Sequence, residues 1–169
     1  AMDGGGALMN QGIHGVDLLQ YIMGPVESVF AYTKTMARNI EVEDTAIALV
    51  KFKCGAMGVL EGTTSIYPGF SREIQISGDK GSIVLNENNI KYFEVEGEKI
   101  TIEDDSCSEK YNSFSDPRAF GISWHTSQIK DMVESINEDR NPSIDQYEGK
   151  KAVEIIDAIY HSAKIGKEV

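Results

Sequence analysis

At 169 residues, 41% hydrophobic and 25% charged, the chain has the size and balance of one globular domain. A net charge of −11, from 16 basic and 27 acidic residues, argues against nucleic acid or an anionic membrane as partner. No apolar run approaches the roughly 20 residues that would span a bilayer, and the N-terminus has neither the basic flank nor the apolar stretch of a signal peptide.

Ala1 ahead of Met2 reads as a cloning remnant, so a domain cut from a longer chain is expected, and its two cysteines, read as reduced, point to a cytoplasmic protein. A first helix is predicted from about Asn10 to Met23, stopped by Gly24-Pro25. Strand-like segments rich in β-branched and aromatic residues follow: Ser28–Met36, Asp44–Lys53, Met57–Ser65, Arg72–Ser77, Ser82–Asn86, Ile90–Glu96 and Lys99–Glu103. Short turn-like connectors such as Cys54-Gly55, Gly78-Asp79-Lys80-Gly81 and Glu96-Gly97-Glu98 force antiparallel neighbours and predict a meander. Residues 104–121 are polar and irregular, a loop over one face. Ile129, Met132, Val133 and Ile136 then recur at helical spacing, as do Ala152, Ile155, Ile156, Ile159 and Ala163, with Asn141-Pro142 between the two helices and Gly166 after them. The expected fold is α+β: an open, mainly antiparallel sheet in one domain over 1–169, with helices on one face.

Strand Asp44–Lys53 sends Ala46, Ala48, Val50 and Phe52 to one side and Ile47 and Leu49 to the other. Both faces are partly apolar, so the helix-free face is expected to meet a second copy in a homo-oligomer. Cys54 and Cys107 lack metal-ligand spacing and read as two reduced thiols; no metal site is expected.

Chemistry concentrates in the N-terminal segment. Asn10, His14, Asp17 and Tyr21 follow at spacings of four, three and four, which places them on one helix face. Met9, Ile13, Val16, Leu18, Leu19, Ile22 and Met23 surround them, predicting a buried helix. Its polar stripe would need partners or a cavity, since an unsatisfied buried polar group costs ~1–3 kcal/mol. Spacing alone leaves two readings open: the wall of an active site, or a packed helix capped by Asn10 with Asp17 paired to a lysine of the sheet. Gly4-Gly5-Gly6 lacks the Gly-x-Gly-x-x-Gly spacing and no strand precedes it, so no dinucleotide site is recognised in this chain. These glycines are expected to make a tight turn or let the backbone pass close to a ligand.

The run Gly4-Gly-Gly-Ala-Leu-Met-Asn10-Gln-Gly-Ile-His14, with Asp17 beyond it, resembles the opening of the C-terminal domain of the glucose–fructose oxidoreductase / inositol dehydrogenase (Gfo/Idh/MocA) family. Glu43-Asp44-Thr45-Ala46, the hairpin Gly78-Asp79-Lys80-Gly81-Ser82-Ile83, the segment Gln128–Ile136, Glu148-Gly-Lys-Lys-Ala152 and the ending Ile159–Lys167 resemble the family in the same order.

This resemblance implies the substrate-binding and oligomerisation domain of an NAD(P)-dependent oxidoreductase acting on a sugar, polyol or related hydroxyl compound. NAD or NADP would be bound mainly by a Rossmann domain outside this chain, which would also bring a lysine from a Glu-Lys-Pro motif. The chain alone is then expected to be inactive. His14 matches the family's Asp-x-x-x-His pattern and takes the role of proton acceptor, or of partner to that lysine. Asn10 stands where the family often has Asp; an amide cannot take a proton, so it orients His14 or binds a substrate hydroxyl. Asp17 is expected to meet a substrate hydroxyl or hold His14. Tyr67 and Arg72 flank Pro68-Gly69 in a loop that would line the substrate cleft, and His125 would face the pocket from the start of a helix; His161 reads as a surface residue. Two other functions stay open: an NAD-dependent glycosidase-type relative that cleaves through transient oxidation, and a non-catalytic binding or assembly module.

Overall fold

A π-helical turn, Leu8–Gly12, runs without a break into helix α1, Ile13–Met23. The helix stops where Gly24 adopts a φ of 82° and returns its N–H to the Gln20 carbonyl at 2.9 Å, a left-handed ending that glycine adopts without strain. The computed structural model describes residues 5–87, 89–101 and 122–169. The loop expected over 104–121 and Cys107 lie outside the described residues. Among the described residues, seven strands follow α1: β1 (Val26–Lys34), β2 (Thr45–Phe52), β3 (Met57–Thr63), β4 (Glu73–Ser77), β5 (Gly81–Asn86), β6 (Asn89–Val95) and β7 (Glu98–Thr101). Helices α2 (Ile122–Glu138) and α3 (Gln146–Ile165) complete the order. Every expected element is present, and the α+β class holds.

The strands form two antiparallel sheets, β1-β2-β3 and β4-β5-β6-β7, where the short connectors predict one meander. The division falls in residues 64–72, a stretch too long for a tight hairpin that contains Pro68, with no N–H to donate, and Gly69 at a φ of 96°. Two compact units result, one holding the chain up to Gly69 together with Gln146–Val169, the other Phe70–Asp145.

In the first unit, alternation along β1 and β2 buries Val29, Ala31, Ala46, Ala48, Val50 and Phe52 on one face. Three of these six are alanines, which let α3 approach closely with Ala152, Ile156 and Ile159, all buried; α1 adds Val16. The free edge of β1 is closed by the chain terminus: Val29 and Val169 exchange backbone bonds of 2.9 and 3.0 Å. Ser162 Oγ, fully buried, accepts the Ala31 N–H at 3.0 Å and donates to the Lys167 carbonyl at 2.6 Å. No backbone donor is left orphaned at those positions.

The opposite face of this sheet is apolar and open. Leu49 stands between Phe30 and Val59, and Tyr32 beside Ile47, in the observed register. Tyr32, Leu49, Val59 and Met57 are all more than half exposed, and the Phe30 and Tyr32 rings meet edge to face at 5.3 Å. The connection from β1 to β2 is organised by Asp44, which is fully buried and accepts the N–H groups of Met36, Ala37 and Arg38 at 2.8, 2.8 and 2.9 Å. Burial would raise its pKa, but the three amides outweigh burial and hold the carboxyl well below the usual carboxylate range.

In the second unit, Gly78 donates to the Gly81 carbonyl at 2.8 Å to close the β4–β5 turn, and Gly97, at a φ of 88°, makes the β6–β7 turn. Asp131 on α2 accepts from the Ser143 N–H at 2.8 Å and the Arg140 guanidinium at 3.0 Å, fixing the chain after the helix. The Ser143 amide, more than burial opposes, keeps the Asp131 carboxyl below its ordinary value. The expected core stripe of α2 is exposed: Ile129, Met132, Val133 and Ile136 range from 51 to 71%. The expectation that both C-terminal helices seal a sheet face therefore holds for α3 and is corrected for α2. Helical periodicity reports that a face requires cover, not which element supplies it.

Candidate functional site

Asn10 lies in the π-helical turn, with His14, Asp17 and Tyr21 along α1, and all four side chains are exposed. The helix is anchored by its other side, through Leu8, Val16 and Gln20, all buried. The expectation of a helix buried all round is thus corrected. One stripe faces the core, Ile13, Leu18, Leu19 and Met23 are half-buried, and the polar stripe faces solvent. The stripe offers an imidazole, an amide, a carboxylate and a phenol on one surface. That set can accept a proton and hydrogen-bond several hydroxyl groups.

The segment before α1 explains how this surface is held. Ala7, at the start of the π turn, has no side-chain cap, so the first N–H groups need partners from elsewhere. Both come from Glu43, just before β2: its carbonyl accepts the Ala7 N–H at 3.0 Å, and its Oε1 accepts the Leu8 N–H at 3.0 Å. The Tyr160 hydroxyl of α3 donates to the same oxygen at 2.8 Å. Burial first, then the hydrogen bond to Glu43 and its charge, push the Tyr160 phenol well above its ordinary pKa, so it stays protonated and donating. Gly6 passes so close that a Cβ there would fall 1.8 Å from Glu43 Oε2 and 2.3 Å from the Glu43 carbonyl. Gly62 of β3 makes room for Leu8 in the same way, its notional Cβ lying 2.6 Å from Leu8 Cδ2. The expected tight passage of the glycine run is therefore made at Gly6 against Glu43, a residue of this chain.

The remaining candidates lie elsewhere. Tyr67, in the connection after β3, is 97% exposed. Arg72 belongs to the second unit, where its guanidinium donates to the Glu87 carbonyl at 3.2 Å and its backbone N–H to Glu87 Oε1 at 3.0 Å. His125, also in the second unit, is exposed on the first turns of α2. His161 is exposed on α3, as expected of a surface residue. The structure brings Asn10, His14, Asp17 and Tyr21 onto one helix face; Arg72 is engaged in the fold of its own unit.

Glu43 and Tyr160 escaped the sequence reading. Glu43 registered only as the start of a strand motif and Tyr160 only as part of the closing helix. Nothing in linear spacing links positions 117 apart. The one available signal was Gly6, since a glycine ahead of a helix marks a close backbone passage without naming what lies against it.

No helix among the described residues is long and apolar enough to cross a membrane. A family model described as the C-terminal alpha/beta domain of an oxidoreductase family matches residues 2–169. A myo-inositol 2-dehydrogenase of Thermotoga maritima is 27% identical over 155 residues, covering 88% of this chain and 44% of that protein. The WlbA dehydrogenase of Bordetella pertussis, solved with NADH and UDP-GlcNAcA, superposes with a TM-score of 0.78 at 32% identity, over 98% of this chain and 44% of its own. WlbA of Chromobacterium violaceum, solved with the same two ligands, gives a TM-score of 0.77 at 38% identity, over 98% and 46%. The chain spans less than half the length of each of these relatives.

Proposed function

This chain belongs to the glucose–fructose oxidoreductase / inositol dehydrogenase (Gfo/Idh/MocA) family as its C-terminal α/β domain, and from that premise we propose that it is the substrate-side domain of an NAD-dependent dehydrogenase of a sugar, polyol or sugar derivative. The observation that carries the reading is the exposed stripe of Asn10, His14 and Asp17 on an α1 whose other side is anchored in the core. Relatives more than twice as long support a further, dinucleotide-binding domain in the full protein. WlbA structures holding NADH support the choice of cofactor.

The donor set fits the hydroxyl side of such a reaction. The stripe holds no cation to grip a dinucleotide's phosphates, whereas an imidazole beside an amide and a carboxylate suits a neutral polyhydroxyl compound. A bound nicotinamide supplies the hydride acceptor. On this chain, His14 takes the proton of the hydroxyl being oxidised, Asn10 orients the imidazole or that hydroxyl, and Asp17 accepts from a neighbouring hydroxyl. Tyr67, in the same unit as the stripe, is proposed as a further contact of the substrate, while Arg72 and His125 belong to the second unit.

The test uses the full-length protein with NAD and a panel of myo-inositol, other polyols, aldoses and UDP-GlcNAcA. NADH formation with one of them is expected, with His14→Ala lowering kcat by roughly 10²-fold, the usual worth of one acid–base group. Release of a leaving group from a glycoside without net NADH would establish the hydrolytic alternative. The absence of any NAD-dependent turnover would leave a binding module.

The open face of the first sheet supports a second proposal, that two copies pack through Phe30, Tyr32, Ile47, Leu49, Met57 and Val59. Clustered exposed apolar side chains of this kind commonly mark an interaction surface.

A further inference from the structure

We propose that Glu43 is a positioning residue for the reaction: its carboxylate holds the π-helical turn that sets where Asn10 stands relative to His14. The proposal rests on the reading of His14 as proton acceptor. Helix beginnings are ordinarily fixed by a local Ser, Thr, Asp or Asn, which accepts a first-turn N–H. Ala7 offers no such group, and the first-turn donors Ala7 and Leu8 both turn to Glu43, 35 positions beyond Leu8. A carboxylate at this end of a helix is also favoured by the helix dipole.

Three contacts give the clamp a single geometry. Tyr160 fixes Oε1 from α3, Gly6 lies against Oε2, and Leu8 is held beneath Gly62 in the core. The Gly6 carbonyl in turn accepts the Asn10 N–H at 3.0 Å, so the residue pressed on Glu43 is bonded to the residue that carries the amide. Asn10 is exposed only two positions beyond Leu8, and His14 follows one turn later. A π turn contains one residue more than the α-helix that would replace it. At fixed sequence, a change from π to α winding would move Asn10 around and along the axis relative to His14. Their spacing would then change, although both would still share a helix face four residues apart.

In the full-length enzyme, Glu43→Gln keeps the shape and removes the charge. With the panel compound that reduces NAD, it should lower kcat about tenfold or more, the scale of a small misplacement of a reacting group, and leave the KM for NAD unchanged. In a His14→Ala background the same substitution should cost nothing further. The Cε1–H proton resonance of His14, assigned by its loss in His14→Ala and read without substrate, should shift in Glu43→Gln. Tyr160→Phe should move it in the same direction by less. An unshifted resonance in both variants would overturn the proposal. So would equal kcat losses with and without His14, since that marks a general loss of structure. If His14→Ala leaves kcat unchanged, the proton-acceptor reading fails by itself, and the resonance still reports whether Glu43 places the imidazole.

Discussion

Tyr160 donates its hydroxyl to Glu43 Oε1 at 2.8 Å, joining α3 to the residue that opens β2. A hydrogen bond to a charged acceptor contributes about 1.5–3 kcal/mol, so Tyr160→Phe should destabilise the domain by about that amount in urea unfolding. The raised phenol pKa sets the sign of the pH dependence. The contribution is fully present below the unfolded tyrosine value of about 10 and is lost as pH rises through the folded value. Stability of the wild type should therefore decline on the alkaline side more steeply than that of Tyr160→Phe, and parallel alkaline limbs would refute the coupling.

Gly6 and Gly62 flank the same π turn but differ in what a methyl would strike. At Gly6 it would meet the Glu43 backbone carbonyl and carboxylate; at Gly62 it would meet the end of the flexible Leu8 side chain. Gly6→Ala should cost about 1–3 kcal/mol or more through forced backbone displacement, and Gly62→Ala distinctly less. Thermal unfolding of the two variants side by side checks the order.

Asp44 is expected to contribute to the acid sensitivity of the first unit. Its depressed carboxyl is bound by the Met36, Ala37 and Arg38 amides. The stabilisation is fully present above the unfolded aspartate value of about 3.9 and is lost as pH falls through the folded value. Asp44→Asn should lower the melting temperature at neutral pH, because an amide nitrogen would face backbone donors. It should also flatten the acid limb, and melting curves from neutral pH down to the acid range would show an unchanged slope if Asp44 had no part in it.

Burial decides between two isoleucines on helical stripes. Ile156 on α3 is fully buried, while Ile129 on α2 is 66% exposed. In the 169-residue chain, Ile156→Ala should cost about 2–5 kcal/mol and Ile129→Ala no more than about 0.5 kcal/mol. Equal losses in denaturant titration would mean that the α2 stripe is covered as well.

Leu49 lies at the middle of the open sheet face, between Phe30 and Val59. Leu49→Asp should convert an oligomer to monomer with its melting temperature little changed at low concentration, as read by sedimentation. A wild-type chain that already sediments as a monomer would remove this face as an interface between copies.

Much of the fold could be read directly from the residues. Period-two alternation in Thr45–Phe52 marked the buried Ala46, Ala48, Val50 and Phe52, and Gly24-Pro25 marked the end of α1. Those signals are local, because side-chain direction in a strand and backbone freedom at glycine depend only on neighbouring residues. The stripe of Asn10, His14, Asp17 and Tyr21 belongs to the same class, since helical spacing alone brings them to one face.

Three features needed the folded chain. The split into two sheets at residues 64–72 depends on which strands find hydrogen-bonding partners, and short connectors constrain only immediate neighbours. The exposure of α2 depends on what packs against its stripe, which periodicity does not specify. The clamp of Glu43 on Leu8 and Tyr160 joins residues 35 and 117 positions away. By itself the sequence determined the elements and placed the candidate residues Asn10, His14, Asp17 and Tyr21 on one helix face, because both are written in local spacing. Only the tertiary structure decided what holds those residues in place, because a hydrogen bond depends on distance in space and leaves no period in the chain.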